Sequence, residues 1–297
     1  MRATQGSETT ESAKISRRAK KAPAGRVGWT VAKYAALVVA SVVTLLPLVV
    51  LVNTAFKTKH EFATTNPLQA PENWFNFNNF FIAFTQGNMA TGFRNIAFIL
   101  VVSLVGTILL GSMTAYALDR FEFRGNKLVF ALFLLASLVP GVTTQVATFK
   151  IVIGLGLFNS LWALIVLNLG TDVISVYIFV QFMHSIPKEL DEAAMLDGAN
   201  KFTIYWRVIL PLLKPAIGTV VIIKGIAIYN EFYQPFLYAP SPENAVISTA
   251  LFAFKGPYGS EWEIISAGAL LVIIPTVIVF VLLQRLIYNG FTQGASK

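Results

Sequence analysis

The chain of 297 residues has no cysteine and two histidines, and it carries 15 acidic against 23 basic side chains. Without cysteine it forms no disulfide, offers no thiol nucleophile and gives no thiolate to a metal. His60 and His184 are far apart in sequence, fall on opposite faces in the topology derived below, and have no cluster of carboxylates beside them. No catalytic residue and no metal site is assigned. Residues 198–203 come nearest to a Walker A loop, but they lack its glycine spacing and its Gly-Lys-Ser/Thr ending. Any use of ATP therefore needs another polypeptide.

Charge is scarce as well. Charged residues make up 13% and hydrophobic ones 55%, with a mean hydropathy of +0.65, whereas soluble domains carry about 25% charge. This is the composition of an integral membrane protein. Apolar runs long enough to cross about 30 Å of hydrocarbon as helix lie at 31–53, 93–118, 128–149, 160–182, 215–237 and 264–286. The predicted fold class is all-α, a polytopic membrane protein with six transmembrane helices. Six spans put both termini on one side, and basic residues near span ends favour the cytoplasm. With the termini cytoplasmic, only Lys57, Lys59, Arg94, Lys150 and Lys255 are outside, Lys224 lies within a span, and the other basic residues are inside. The formal charge of +8 is thus explained by topology, with no nucleic acid required.

Residues 1–28 are rich in Ser, Thr, Lys and Arg and are expected to be a disordered basic cytoplasmic tail, with Lys14 to Arg26 able to touch membrane lipid. Residues 29–297 are the membrane domain. The first apolar run is too long for a signal peptide and is read as a retained helix kinked at Pro47. The outer segment 57–92 mixes amides with aromatic rings, most densely from Asn73 to Phe80, and is expected to hold a short amphipathic helix at the bilayer interface.

Residues 187–211 are polar and patterned where a membrane protein usually has a tether. Pro187 suits the first turn of a helix. Residues 188–197 read as one short helix, Gly198 permits a turn that other residues resist, and 202–210 read as a second helix. Small Ala193 and Ala194 allow close approach while Glu192 and Asp197 supply charge, as a docking element for a soluble partner requires. An ordinary amphipathic hairpin is the alternative. The order Glu192-Ala193-Ala194, three residues, Gly198, nine residues, Val208, one residue, Leu210-Pro211 resembles the EAA loop of ABC importer permeases, where Ile is commoner than Val at position 208. That resemblance implies a pair of coupling helices seated in a cleft of an ATP-hydrolysing subunit, with Glu192, Ala193, Ala194, Asp197, Gly198, Leu210 and Pro211 as the ATPase-coupling residues.

Beyond residue 30 the chain resembles, over nearly its whole length, the second permease subunit of carbohydrate-uptake ABC importers of the maltose type. The segments that carry this are Thr114-Ala115-Tyr116-Ala117-Leu118-Asp119-Arg120, Ile186-Pro187-Lys188-Glu189-Leu190, Tyr229-Asn230-Glu231-Phe232, and residues 290–297. Trp is commoner in that family where Tyr229 stands. The resemblance implies a type I importer domain working with a second permease subunit, two ATP-binding subunits that hold ATP and magnesium, and an extracytoplasmic solute-binding protein that delivers a sugar. It implies no cofactor in this chain. The loop between spans five and six of that subunit type reaches into the binding protein, which gives Gly256, Pro257, Tyr258 and Gly259 as contact residues with Tyr258 at an exposed tip. A plain connecting loop is the alternative there.

Ionisable groups inside spans cost about 2.5–3.5 kcal/mol on insertion scales and normally face a cavity or a partner. Lys224 and Glu231, seven residues apart, fall within about 20° of each other around a continuous helix. Asn230 with Gln234, and Tyr229 with Tyr233, form two further lines at i and i+4. Amides and aromatic faces suit a neutral polyol, so Tyr229, Asn230, Glu231, Tyr233 and Gln234 are assigned to a substrate pathway, although the same groups can bond helix to helix. Lys224 and Asp172 are assigned a structural role. Three rivals stand beside a sugar importer. An ABC permease for another solute, such as glycerol phosphate, phosphate or an amino acid, would call for a basic cluster in the outer pore if the solute is anionic. An ion-driven secondary transporter would use Asp172, Lys224 and Glu231 as relays. A membrane-embedded enzyme lacks a catalytic constellation.

Overall fold

The computed structural model describes residues 24–169, 172–256 and 259–295, with the backbone alone at 24–28, 259, 283 and 285–295. Most of the expected basic tail, residues 1–23, lies outside these. Among the described residues the chain is helical apart from one short hairpin of strands. It divides into two units at Val49 and Val50.

The first unit is the N-terminal part of helix α1 (Ala24–Phe56), in which every residue from 29 to 49 is exposed although the segment is apolar all round. Such a helix suits lipid rather than water. It continues through Pro47.

In the second unit the helices follow in order. After α2 (Lys59–Thr64) and α3 (Asn78–Gln86) comes the long α4 (Met89–Arg120). Next are α5 (Asn126–Ser137), α6 (Gly141–Gly154), α7 (Leu161–Leu169) and α8 (Val173–Met183). The polar hairpin holds α9 (Glu189–Leu196), α10 (Lys201–Ile204), a π-helical turn (Tyr205–Ile209) and α11 (Leu210–Leu212). Then come α12 (Lys214–Asn230), α13 (Tyr233–Tyr238) and α14 (Ile247–Ala250), the strands β1 (Lys255–Gly256) and β2 (Gly259–Ser260), and α15 (Trp262–Ala295). By length and composition three helices can cross a membrane, Trp29–Phe56, Met89–Arg120 and Trp262–Leu282, or up to six if each of three bent pairs counts as one span.

Three expected spans are not continuous. The run 160–182 is divided between α7 and α8, with residues 170–171 outside the described residues. The run 128–149 is α5 and α6, bent by 99°. Pro140 between them cannot donate a ladder bond and turns the residue before it away from helix. The run 215–237 breaks at Glu231 and Phe232. Pro235 lacks an N–H, and in a continuous helix its ring would clash with the carbonyl four residues back, that of Glu231. Ser248 Oγ donates to that carbonyl at 2.6 Å, which satisfies a group the helix has given up.

The outer segment does contain the expected helix, α3, with Phe81 and Phe84 exposed. Its other side is bolted to the protein. Asn79 Nδ2 donates to the carbonyls of Ala55 and Lys57 at 2.9 and 2.7 Å, and Phe56 gathers the rings of Trp74, Phe77 and Phe80 at 5.0–5.7 Å. α3 also packs on α15 at Gly268, where a Cβ would lie 3.4 Å from Ala83 Cβ of α3 and 2.2 Å from Cδ2 of Leu251, the residue after α14.

Two apolar clusters form the core, one toward each end of α4. Ile96 and Ile99 meet Leu164, Ile228, Tyr238, Ile247 and Ile264. Ala115 and Tyr116 meet Phe179 and Met183 of α8 together with Ile204, Tyr205 and Ile209 of the hairpin. The second cluster seats the hairpin against the long helices.

Candidate functional site

The hairpin's first arm, α9, carries Glu189, Asp191 and Glu192 in its first turn, where carboxylates favour the positive end of the helix dipole. It ends as its sequence requires. Gly198 has φ +83°, its N–H donates to the Met195 carbonyl, and the N–H of Ala199 reaches back to the Ala194 carbonyl, each at 3.0 Å. This is a Schellman stop. No atom lies within 4 Å of a Cβ added at Gly198, so the constraint there is backbone angle and not crowding. Asn200 then caps the second arm, its Oδ1 accepting from the N–H of Thr203 at 2.8 Å.

The second arm is not the single α-helix expected over 202–210. It widens into the π-turn just before Pro211, where the Leu210 N–H donates to Tyr205. The wider turn accommodates a ring that an α-helical ladder resists. Tyr205, 2% exposed, shares a hydrogen bond of 2.7 Å with Ser112 of α4. Glu192, Ala193, Asp197, Gly198 and Pro211 are exposed, while Ala194 and Leu210 are half-buried against the core cluster. Leu196, which the sequence reading passed over, is 90% exposed on a helix otherwise rich in acids.

A second feature missed in the sequence lies beneath α9. Arg120, the last residue of α4, has a side chain only 6% exposed. Its Nη1 meets Asp119 Oδ2 at 2.6 Å, its Nη2 donates to the carbonyl of Ile186 at 2.8 Å, and its Nε lies 2.6 Å from Asp191 Oδ2. The Nε–H is not aligned on that oxygen, so the Asp191 contact is an ion pair and not a directional hydrogen bond. Asp119 Oδ1 in turn lies 2.9 Å from Nε2 of His184, the residue that follows α8. The available signal was an Asp-Arg pair closing an apolar run, which needs partners if it is to be buried. Residues 118–120 and 184–189 border an open recess of about 700 Å³.

The five residues assigned to the pathway meet at the break after α12, and three of them have internal bonds. Tyr229 Oη donates to the carbonyl of Val272 in α15 at 2.9 Å. Asn230 is exposed, and its Nδ2 donates to Ile226 within its own helix. Glu231 Oε1 accepts from the N–H groups of Tyr233 and Gln234 at 2.9 and 3.1 Å, so its carboxylate caps α13. Tyr233 is 52% exposed and Gln234 half-buried. The i, i+4 lines drawn through this region do not exist, because Glu231 is extended. Nor do Lys224 and Glu231 act together: Lys224 Nζ lies 3.5 Å from Asp172 Oδ2, which also accepts from Ser175 Oγ.

Before α15, Lys255 pairs with Ser260 and Gly256 with Gly259 in an antiparallel hairpin. Pro257 and Tyr258, the expected tip, lie outside the described residues. Among the described residues no group of His, Asp and Glu is placed to hold a metal ion.

Residues 107–293 match the family described as the binding-protein-dependent transport system inner membrane component. The chain is 30% identical to the melibiose/raffinose/stachyose import permease protein MelC of Bacillus subtilis, over 85% of this chain and 91% of that protein. It is 32% identical to the arabinooligosaccharides transport system permease protein AraQ of Halalkalibacterium halodurans, over 74% of this chain and 78% of that one. Its fold matches a chain in the crystal structure of a bacterial ABC transporter involved in the import of the acidic polysaccharide alginate, with a TM-score of 0.77, 19% identity, and 89% and 98% of the two chains covered. An apolar helical chain with this match over most of its length belongs to the inner membrane components of binding-protein-dependent transport systems, the permeases of ABC importers.

Proposed function

We propose that the chain is the permease subunit of an ATP-driven importer for a sugar or oligosaccharide, crossing the membrane six times with both termini in the cytoplasm. The observation that carries this is the hairpin: a stiff, exposed acidic helix with an exposed Leu196, joined to the ends of membrane helices. In this role Glu192, Ala193, Ala194, Asp197, Gly198, Leu210 and Pro211 couple to an ATP-binding subunit, two of which hold ATP and magnesium. ATP binding closes that motor, the hairpin moves with it, and the pore passes from inward-facing to outward-facing. A second permease completes the pathway, bordered here by Tyr229, Asn230, Glu231, Tyr233 and Gln234, with the half-exposed Tyr233 ring as a stacking face. An extracytoplasmic binding protein delivers the sugar and touches residues 256–259.

Sugar as cargo is supported by the oligosaccharides named for the relatives. The Lys224 ammonium is committed to Asp172, and the Glu231 carboxylate to backbone N–H groups. Neither is then at hand to hold an anionic solute or to relay protons.

Uptake by the complete complex in membrane vesicles tests this. Transport is expected to require ATP, to survive collapse of the proton gradient, and to be competed by oligosaccharides but not by glycerol phosphate. Transport that persists without ATP and stops when the gradient is dissipated would replace this function with an ion-driven one. The absence of cysteine gives a silent background for topology. Ser12→Cys and Asn289→Cys are expected to label only from the cytoplasm, and Ser260→Cys only from outside.

A further inference from the structure

We propose that Arg120 is a positioning residue of the transport cycle, a clasp that makes the ends of α4 and α8 move as one body with the coupling helix α9. This rests on the docking role of the hairpin given above. Two consecutive residues of α4 hold both neighbours. Arg120 reaches the Ile186 carbonyl just beyond α8 and Asp191 in the first turn of α9, while Asp119 holds Arg120 and His184, the residue that follows α8.

Beside the apolar packing of Ala194 and the second arm on the core cluster, the first arm is tied to α4 by the contact of Asp191 with Arg120. Residues 118–120 and 184–189 border an open recess, so apolar packing does not fill the gap between the end of α4 and the chain leading into α9. The side chains of Asp119, Arg120 and Asp191 are 5%, 6% and 9% exposed, so solvent screens these contacts weakly and they stay stiff. A planar guanidinium serves two acceptors in fixed directions, Asp119 and the Ile186 carbonyl, while its charge faces Asp191, whereas a lysine ammonium is a single point charge on a flexible stem. Asp191 needs only charge from its partner, but the Ile186 carbonyl needs a donor in the right place. The outward residues Glu192 and Leu196 take no part in the clasp, so its loss leaves the docking face intact and lets the hairpin slip against α4 and α8.

The test uses the assembled importer with its second permease, ATP-binding subunits and binding protein, reconstituted in vesicles. It reads ATPase co-purification, ATP hydrolysis and sugar uptake. Arg120→Ala and Asp191→Asn are each expected to keep the ATPase bound and hydrolysing, while uptake per ATP falls by about fivefold or more. Arg120→Lys is expected to lie between Arg120→Ala and the parent. The double variant Arg120→Ala/Asp191→Asn relieves the Asp191 charge that Arg120→Ala strands and leaves Asp119 with His184 alone, so it is expected to raise protein yield above that of Arg120→Ala. It is expected to leave uptake per ATP low, which a purely structural role would not do. Unchanged uptake per ATP in both single variants overturns the clasp, and so does its recovery in the double variant. Failure of every variant, the double included, to assemble also overturns it by reducing Arg120 to a folding residue. Glu192→Lys separates the two levels. If it retains ATPase binding and uptake, the docking role fails; if it loses them while the Arg120 and Asp191 variants behave as the parent, the clasp alone fails.

Discussion

The two ends of α12 interrupt the same length of membrane helix in opposite ways. At the hairpin end the chain bends by 71° at Leu213, after the stop at Gly198 and a π-helical step, and most of the acids stay exposed, with Asp191 alone turned inward onto Arg120. At the other end Glu231 makes the turn, and its carboxylate is consumed at once by the N–H groups of Tyr233 and Gln234. A polar group left in solvent is available to a partner, while one that satisfies the backbone is part of the scaffold. The same residue type, glutamate, therefore stands in solvent at position 192 and serves architecture at position 231.

Reversing the exposed charge gives the largest expected effect. Glu192→Lys should lower uptake by at least about tenfold through repulsion at the docking face, with no change in thermal stability of the isolated subunit. A parallel loss of stability would mean that Glu192 is scaffold as well, and the contrast between the two ends would collapse. Between those ends, Lys224→Met strands the Asp172 carboxylate and should cost about 3 kcal/mol, measured as a lowered midpoint of unfolding in detergent. Adding Asp172→Leu should restore most of it, as expected for a pair whose work is internal. Glu231→Leu removes the cap of α13 and should cost about 1 kcal/mol, whereas Glu231→Gln keeps an acceptor and should cost less. If uptake instead follows the charge and not the cap, with Gln as damaging as Leu, Glu231 touches cargo.

The smallest effect concerns pH. Hydrogen bonds from the N–H groups of Thr58 and Glu72 hold the Glu61 carboxyl below its ordinary value of 4.5. A lowered folded-state pKa contributes stability above the ordinary value and loses it as pH falls through the folded one. Hydrogen exchange at Thr58 and Glu72 should therefore rise as pH drops below about 4.5, after correction for intrinsic rates, and Glu61→Gln should abolish that dependence. The turn at Gly198, which has no titrating cap, should show no such window.

The hairpin was legible because its signals are local. Pro187 at a helix start, small Ala193 and Ala194, and Gly198 at an αL stop each act within a turn of themselves. The clasp was not legible, because it joins residues 119 and 120 to residues 184, 186 and 191, which are separated by more than 60 positions that no periodicity connects. The break at Glu231 was hidden by hydrophobicity that continues past it to Leu237, so the run read as one helix.

The prolines show where composition stops and packing begins. Sequence alone determined that the chain is helical and membrane-embedded, because 13% charge and long apolar runs leave few other ways to satisfy a backbone in lipid. It also placed Pro47, Pro140, Pro211, Pro235 and Pro275 in or beside apolar helical runs. Tertiary structure decided what each one does. α1 and α15 continue through Pro47 and Pro275, while the chain bends, widens or breaks at Pro140, Pro211 and Pro235. A proline inside a helix frees the carbonyl four residues back, and sequence alone does not say whether another part of the chain comes to meet the backbone there. Ser248 reaches the carbonyl of Glu231, the one Pro235 leaves free, and Tyr229 reaches the carbonyl of Val272, next to the Leu271 carbonyl that Pro275 leaves free. Those partners come from other helices, and only the folded chain brings them within 3 Å.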